Sequence, residues 1–404
     1  MHRAFASAPL LLATLFLLGG TASSQTIIPT GTTVWFPPYE QPGNTFFNAP
    51  DGIARMVDAS GQIVNQWGTP ESQLGIAKPI FDPGGHILAM TGFVAVPHYP
   101  RPRATRLVQF DASGRVFFEF DVPVVSVGTL AGIHHDMERL ENGNTLILCS
   151  TLVDIPAISP KTLVDDCIVE QTFSGDVVWE WYTHQHFDQF GFSDEAKAQI
   201  ADAAGDWAHA NSLSVIPPND IPDPAFTPGN IMVSYRQLNT IIVIDKATGA
   251  IVWKLGPADS ITIGQHDAHV IHQGLQGAGR VLAFDNGLSA GYPLTSRAFS
   301  RVVEIDPISK TVVWVYTAAH SGLPFWSFFS PIISGAQRLP NGNTLITEGT
   351  KGRLFEVMPN GPIAWEYVSP FYDLNPGPGI LPVKDFGIFR AYRMPPGWGL
   401  PSTP

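Results

Sequence analysis

Short apolar runs alternate with turns rich in Gly and Asn along the chain, and the alternation repeats. The unit is a Gly turn into a short apolar strand, a second strand often carrying an acidic residue, then a Gly-containing turn and a strand ending in an aromatic. Six segments follow it. They are "DGIARMVDASGQIVNQW" at 51–67, "GGHILAMTG" leading to "RLVQFDASGRVFFEF" ending at 120, and "NGNTLILCS" leading to "CIVEQTFSGDVVWEW" ending at 181. The others are "GNIMVSYRQLNTIIVIDKATGAIVWKL" at 229–255, "GRVLAFDNG" leading to "RVVEIDPISKTVVWVY" ending at 316, and "NGNTLITEGTKGRLFEVMPNGPIAWEY" at 341–367. A preceding strand such as "HDMERL" gives each unit about four strands, the size of a propeller blade. The pattern predicts an all-β fold, a six-bladed β-propeller with four-stranded antiparallel blades. Trp67, Trp179, Trp253, Trp314 and Trp365 recur where outer strands pack against a neighbouring blade. The first unit lacks strands, so 25–50 and 368–404 are expected to close or flank the ring.

Composition narrows the picture. The chain has 404 residues with a formal net charge of −12, which argues against nucleic acid or an anionic membrane surface as partner. Its 38 Gly and 36 Pro suit many short strands and tight turns. The best helical stretch is "SDEAKAQIADAAGDW" at 193–207, with Ser193 and Asp194 available as caps. The start, "MHRAF" followed by "APLLLATLFLLGG" and "TASSQ", has the parts of an export signal over 1–24, leaving 25–404 as one domain. The apolar run is short for a membrane span. The expected location is periplasmic or secreted, with no stable membrane insertion.

"GIHHDMERLENGNTLIL" at 132–148 places two histidines and an aspartate before a strand that does not need them. The related "PIISGAQRLPNGNTLIT" has no histidine there. Two neighbouring units do: "DWAHANSLSVI" holds His209 and Asn211, and "GQHDAHVI" holds His266 and His269. Three consecutive units thus direct imidazoles to one region. Arg236 interrupts the apolar "MVSYRQLNTI"; buried guanidinium groups suit anionic oxygens, although a carboxylate such as Asp206 or Asp267 would also pair with it. Three imidazoles and an Arg describe a site for a tetrahedral oxyanion.

The ordered set "HHD", "DWAHANS", "SYRQLNTIIVIDKATGAIVWKLG", "QHD", "FDNG", "VEID" and "LPNGNTLITEGTKGRLFEV", ending in "IAWEY", resembles the bacterial arylsulfotransferases over roughly residues 30–370. The resemblance implies an exported propeller that moves a sulfuryl group from a phenolic sulfate ester to a phenol acceptor, without a nucleotide donor and without a cofactor, through a histidine carrier. Carried over by motif, His266 is the nucleophile, with His209, Arg236 and His135 completing the site. His134 is an alternative to His135, and His269 to His266; Asn211 is a supporting residue. The residue types agree independently: neutral imidazole is a competent nucleophile near pH 7, and another can carry the proton.

Clustered histidines with Asp136 and Asp267 also raise a metal site, which Arg236 disfavours by its charge; no metal is assigned. "IDKATGAIVWKL" at 244–255 resembles the tryptophan-docking repeat of quinoprotein dehydrogenases, leaving a quinoprotein-like oxidoreductase or a non-enzymatic ligand- or partner-binding propeller as alternatives. "LPFWSFF" offers Phe325, Trp326, Phe328 and Phe329 either to an aromatic pocket above the site or to the core. Finally, aligning "NGNTLI" of the third and sixth units maps Leu345 onto Leu146 and Glu356 onto Glu170. That register sets Cys149 opposite Cys167, close enough for a disulfide in an oxidising compartment.

Overall fold

The computed structural model describes residues 29–96, 102–122, 125–203, 205–375 and 383–400. The export signal expected at 1–24 lies outside them. The described chain is an all-β propeller of antiparallel meanders. One sheet contains Asn44–Asn48, Ala54–Val57 and Ile63–Trp67, with Ala391–Met394 from the far end of the chain as its first strand. A nine-stranded sheet follows. It holds one meander from Ala77–Pro79 to Val116–Asp121 and another from Thr129–Arg139 to Val177–Tyr182, bridged where Ala104 faces Ile133. Two four-stranded sheets run from Ala210–Val215 to Ile251–Leu255 and from His266–Val270 to Thr311–Tyr316. The last meander, Gly335–Arg338 to Ile363–Val368, takes Gly31–Trp35 as a fifth, outer strand. The N-terminal segment thus extends the last sheet, and the C-terminal segment completes the first.

The turns explain the repeat. Asp58 Oδ1 accepts the backbone N–H groups of Ser60 and Gln62 at 2.9 and 3.0 Å, and Asp111 Oδ1 does the same for Ser113 and Arg115 at 2.9 and 3.1 Å. The glycine in each, Gly61 and Gly114, has φ of 86° and 80°, a conformation other residues adopt at a cost.

Apolar side chains form clusters between neighbouring sheets, such as Trp67, Phe46, Ile87 and Phe110, or Met232, Val243, Val281 and Val303. Tryptophans lock these junctions with a recurring bond. The indole N–H of Trp67 donates to Asp111 O at 2.8 Å, Trp253 to Pro307 O at 2.9 Å, Trp314 to Pro359 O at 3.1 Å and Trp365 to Ala59 O at 2.8 Å. In the third meander the bond belongs to Trp181, to Gly249 O at 2.8 Å, rather than to Trp179, which packs half-buried. Between the two meanders of the nine-stranded sheet, Phe118 and Phe173 stack at 3.9 Å instead.

The helix spans Asp194–Ala203, shorter than the 193–207 expected, and Ser193 Oγ accepts the Ala196 N–H at 3.2 Å. Cys149 does face Cys167, in the register that sets Leu146 opposite Glu170 and Leu345 opposite Glu356. The disulfide is absent: both are buried free thiols. The Cys149 Sγ–H is turned to the Cys167 carbonyl at 3.4 Å, since register brings Cα atoms together but does not choose the side-chain rotamers. Denatured, unreduced protein should therefore take up two alkyl groups by mass spectrometry; none would mean that the bond forms.

Candidate active site

The site is built on the inner strands of three consecutive meanders. His134 and His135 belong to Thr129–Arg139, His209 directly precedes Ala210–Val215, and His266 opens His266–Val270. In each the ladder slips: register shifts fall between Ile147 and Cys149, between Ala210 and Ser212, and between His266 and His269. A left-handed residue accompanies each slip, His135 at φ 57°, His209 at 55° and Asp267 at 57°. Such a residue costs on the order of 1–3 kcal/mol and re-aims the strand's side chains, which is common beside functional sites. In the third case the left-handed residue is the one after the histidine, so His266 is not the strict counterpart of His135 and His209.

A cavity of about 680 Å³ is lined by His134, His135, His209, Arg236 and His266, with Asp206, Arg103 and Phe389. The rings of His134 and His135 lie 4.9 Å apart, and those of His135 and His209 4.8 Å. Phe389 contacts both sides, 5.7 Å from His135 and 6.4 Å from His266. Arg236 follows the strand Ile231–Tyr235, and its backbone N–H donates to His209 O at 2.9 Å. Its Nη1 donates to Gln237 Oε1 at 2.6 Å. The two carboxylates considered for it have other partners: Asp206 Oδ2 bonds His209 Nδ1, and Asp267 Oδ1 lies 3.1 Å from Arg390 Nε.

His266 is buried and its tautomer is fixed by a chain of bonds. The Asn286 amide gives its N–H groups to Ser330 O and Ile333 O at 2.8 and 2.9 Å, so Oδ1 must face the imidazole. His266 Nδ1 then donates to Asn286 Oδ1 at 2.8 Å. That leaves Nε2 as the nitrogen with a lone pair. Burial, with Arg236 and His209 adding positive charge, holds the His266 pKa well below the usual imidazole value despite the Asn286 bond. Burial likewise lowers His134, with Arg103 adding to it, and lowers His135, with His209 and His134 adding. These rings are neutral at pH 7. Burial favours the neutral Asp206 carboxyl, but the charge and hydrogen bond of His209, with Arg103 and His134, outweigh it and keep its pKa low.

His269 does not line the cavity; it is half-buried and its Nδ1–H donates to Asp267 O at 2.9 Å. Asn211 is buried as a strap between sheets, giving its Nδ2–H to Gln265 O at 2.7 Å. Phe325 and Trp326 are exposed and Phe328 is buried in a core cluster, and none of the four aromatics of that loop lines the cavity. Among the described residues, no group of three His, Cys, Asp or Glu is placed to hold a metal ion.

Sequence reasoning missed Arg103, Phe389 and Arg390. Arg390 follows the cavity-lining Phe389: its Nη1 donates to Asp136 Oδ2 at 2.6 Å and its Nη2 to Asn211 O at 3.0 Å. Lys78 Nζ adds a bond to Asp136 Oδ1 at 3.1 Å. One guanidinium thus joins three inner strands. The Asp of "HHD" was a visible signal for such a partner, since a buried carboxylate needs a cation.

A family model described as Arylsulfotransferase (ASST) matches residues 44–361. No curated protein sequence matches the chain. Among solved structures, a protein of unknown function from Bacteroides caccae is 13% identical over 87% of this chain and 98% of its own, with a TM-score of 0.51. The likeness is one of fold. The Dos1 propeller is 12% identical over 85% of this chain and 76% of its own, TM-score 0.40. Virginiamycin B lyase from Staphylococcus aureus is also 12% identical, over 85% of each chain, TM-score 0.41.

Proposed function

This chain belongs to the arylsulfotransferase family, and from that premise we propose that it transfers a sulfuryl group from a phenolic sulfate ester to a phenol through a sulfohistidine at His266. The observation that carries this reading is the fixed tautomer of His266, whose Nδ1 is committed to Asn286 while the ring borders a cavity flanked by Arg236 and His209. His266 Nε2 attacks sulfur, and the bond from sulfur to the aryl oxygen breaks. The departing phenolate takes a proton from His135 or His209. The acceptor phenol returns a proton to the same base as its oxygen attacks the sulfohistidine, and His266 is released. Arg236 offers positive charge and N–H donors to the equatorial sulfuryl oxygens, where charge accumulates. No nucleotide, metal or other cofactor enters these steps.

The ring is read as six-bladed. Six four-strand meanders support this count, the nine-stranded sheet being two blades bridged at Ala104 and Ile133. Export to the periplasm or beyond is supported by the basic and apolar start of the chain. No described helix is long and apolar enough to cross a membrane.

Incubation with 4-nitrophenyl sulfate tests the function. Nitrophenolate release that rises with added phenol, with the aryl sulfate of that phenol as second product, is the expected result. Release unaffected by any phenol would make the protein a hydrolase, and no release would remove the activity.

A further inference from the structure

Beside His135 a line of buried groups starts at His134 on the cavity wall and runs to Asp166, and the mechanism above leaves it idle. His135 Nδ1 and His134 Nδ1 are 2.6 Å apart. On the far side of His134, its Nε2 is 3.3 Å from Asp166 Oδ1, a contact in which neither buried atom has a hydrogen-bond partner, and Asp166 Oδ2 accepts the Ala210 N–H at 2.6 Å. His134 is 5% exposed and Asp166 1%. Two neutral Nδ1 atoms at that separation must share one proton: with none, lone pairs collide, and with two, N–H groups do. Each choice fixes both tautomers and dictates what the cavity meets.

We propose that Asp166 and His134 form a proton relay behind His135, in which Asp166 stores the proton that His135 delivers to the departing phenolate and later recovers from the incoming phenol. The proposal rests on the sulfuryl-transfer function above. In the loaded state Asp166 is a carboxylic acid, His134 carries its proton on Nδ1, and His135 carries its own on Nε2, facing the cavity. The phenolate takes the His135 Nε2 proton. His135 Nδ1 takes the proton of His134 Nδ1, and His134 Nε2 takes that of Asp166. The spent state has a carboxylate, Nε2–H on His134, Nδ1–H on His135 and a lone pair on His135 Nε2. It is one proton poorer, and that proton is on the phenol. When the acceptor phenol attacks, its proton enters at His135 Nε2 and each transfer runs backward.

No imidazolium forms at any stage, as suits rings whose burial disfavours the charged form. The store has a suitable affinity. Burial first, and the charge of Asp206 second, push Asp166 up to about 7 against the Ala210 N–H, His209 and Arg103, which act to lower it. Asp165, Cys167 and Tyr235 complete its surroundings, while the Cys149 backbone, Arg103, Asp206 and His209 surround His134. Arg103 thereby gains a role: its charge stands near the carboxylate of the spent state.

The test compares wild type with Asp166→Asn, which keeps an acceptor for the Ala210 N–H but has no proton to give up. 4-Nitrophenolate leaves without a proton, whereas unsubstituted phenolate needs one. The variant should retain the single-turnover burst from 4-nitrophenyl sulfate and lose about 10²-fold on phenyl sulfate, the usual scale of general acid catalysis. Wild-type turnover of phenyl sulfate should fall as pH rises through the Asp166 titration, and the variant should lack this limb. Equal loss on both sulfates, or loss on neither, overturns the relay. A second measurement needs neither the variant nor turnover: ¹⁵N NMR of labelled histidines between about pH 5 and 9, a window that brackets the Asp166 titration. His134 and His135 should exchange tautomers together in the wild type; independent or absent switching overturns the relay. If they switch together but no aryl sulfate is consumed, the relay stands and the sulfuryl-transfer function falls.

Discussion

Replacing His266 with Asn should lower turnover of any aryl sulfate by at least about 10⁴-fold, the scale seen when an enzyme loses its covalent nucleophile. The protein should stay folded. His266 sits at the start of an inner strand, and an Asn amide can still donate toward Asn286 Oδ1, so the buried polar group that holds the histidine keeps a partner. What disappears is the only atom in that position with a free lone pair and a geometry fixed by a second bond. A labelled donor mixed with the wild type and quenched before acceptor is added should leave the sulfuryl group on the peptide containing His266. Label on His209 or His135 would move the nucleophile, and full turnover by His266→Asn would eliminate a sulfohistidine at that residue.

Arg236→Lys should cost roughly 10²–10³-fold in kcat, the scale of removing one donor aimed at developing charge, and should change KM much less. Both side chains are cationic, so attraction of an anionic sulfate survives. The loss is geometric. Arg236 is held where two backbone segments close, with its own N–H on His209 O and Gln237 N–H on Ala208 O, and one edge of its guanidinium bonds Gln237. A planar fork holds its donors at set angles, whereas an ammonium is a point charge on a flexible stem. Steady-state kinetics with one donor and one acceptor decides the matter: near-normal kcat in Arg236→Lys removes the guanidinium from the reaction.

The scaffold was legible in the chain because each meander repeats the same local instructions. An Asp two residues before a Ser or Ala-Thr and ahead of Gly makes a turn by its own hydrogen bonds, and alternating apolar residues then face the next sheet. The hairpin register that set Cys149 against Cys167 followed from two repeats alone. Chemistry beyond the backbone followed less well. Trp179 holds the position opposite Glu170 that Trp365 holds opposite Glu356, yet Trp181 reaches the next turn. Two tryptophans on one face compete for one carbonyl, and sequence spacing does not decide between them. The same is true of the thiols.

The site divides in the same way. His135, His209 and His266 stood out because three consecutive repeats carry what another lacks. His269 could be set apart from them only once the strand slips were known, since one left-handed residue changes which neighbour faces the cavity, whereas His134 lines it beside His135. Asp166 was one of three acids in "VDDCIVE", with nothing to mark it as the one behind His134. Arg103 and Phe389 come from segments that contribute no motif, and only the closed ring brings them beside the histidines.

That closure has a bearing on when the protein becomes able to act. Phe389 borders the cavity and Arg390 clasps three inner strands, and both directly precede Ala391–Met394, the strand that completes the first sheet. A ribosome makes every histidine of the site well before it makes this segment. A nascent or truncated chain ending before Phe389 holds the whole reactive set, yet Asp136 and Asp267 are then two acids without their common guanidinium, and the cavity lacks a wall. Pairing of this one segment therefore completes the first sheet and the cavity wall in a single step.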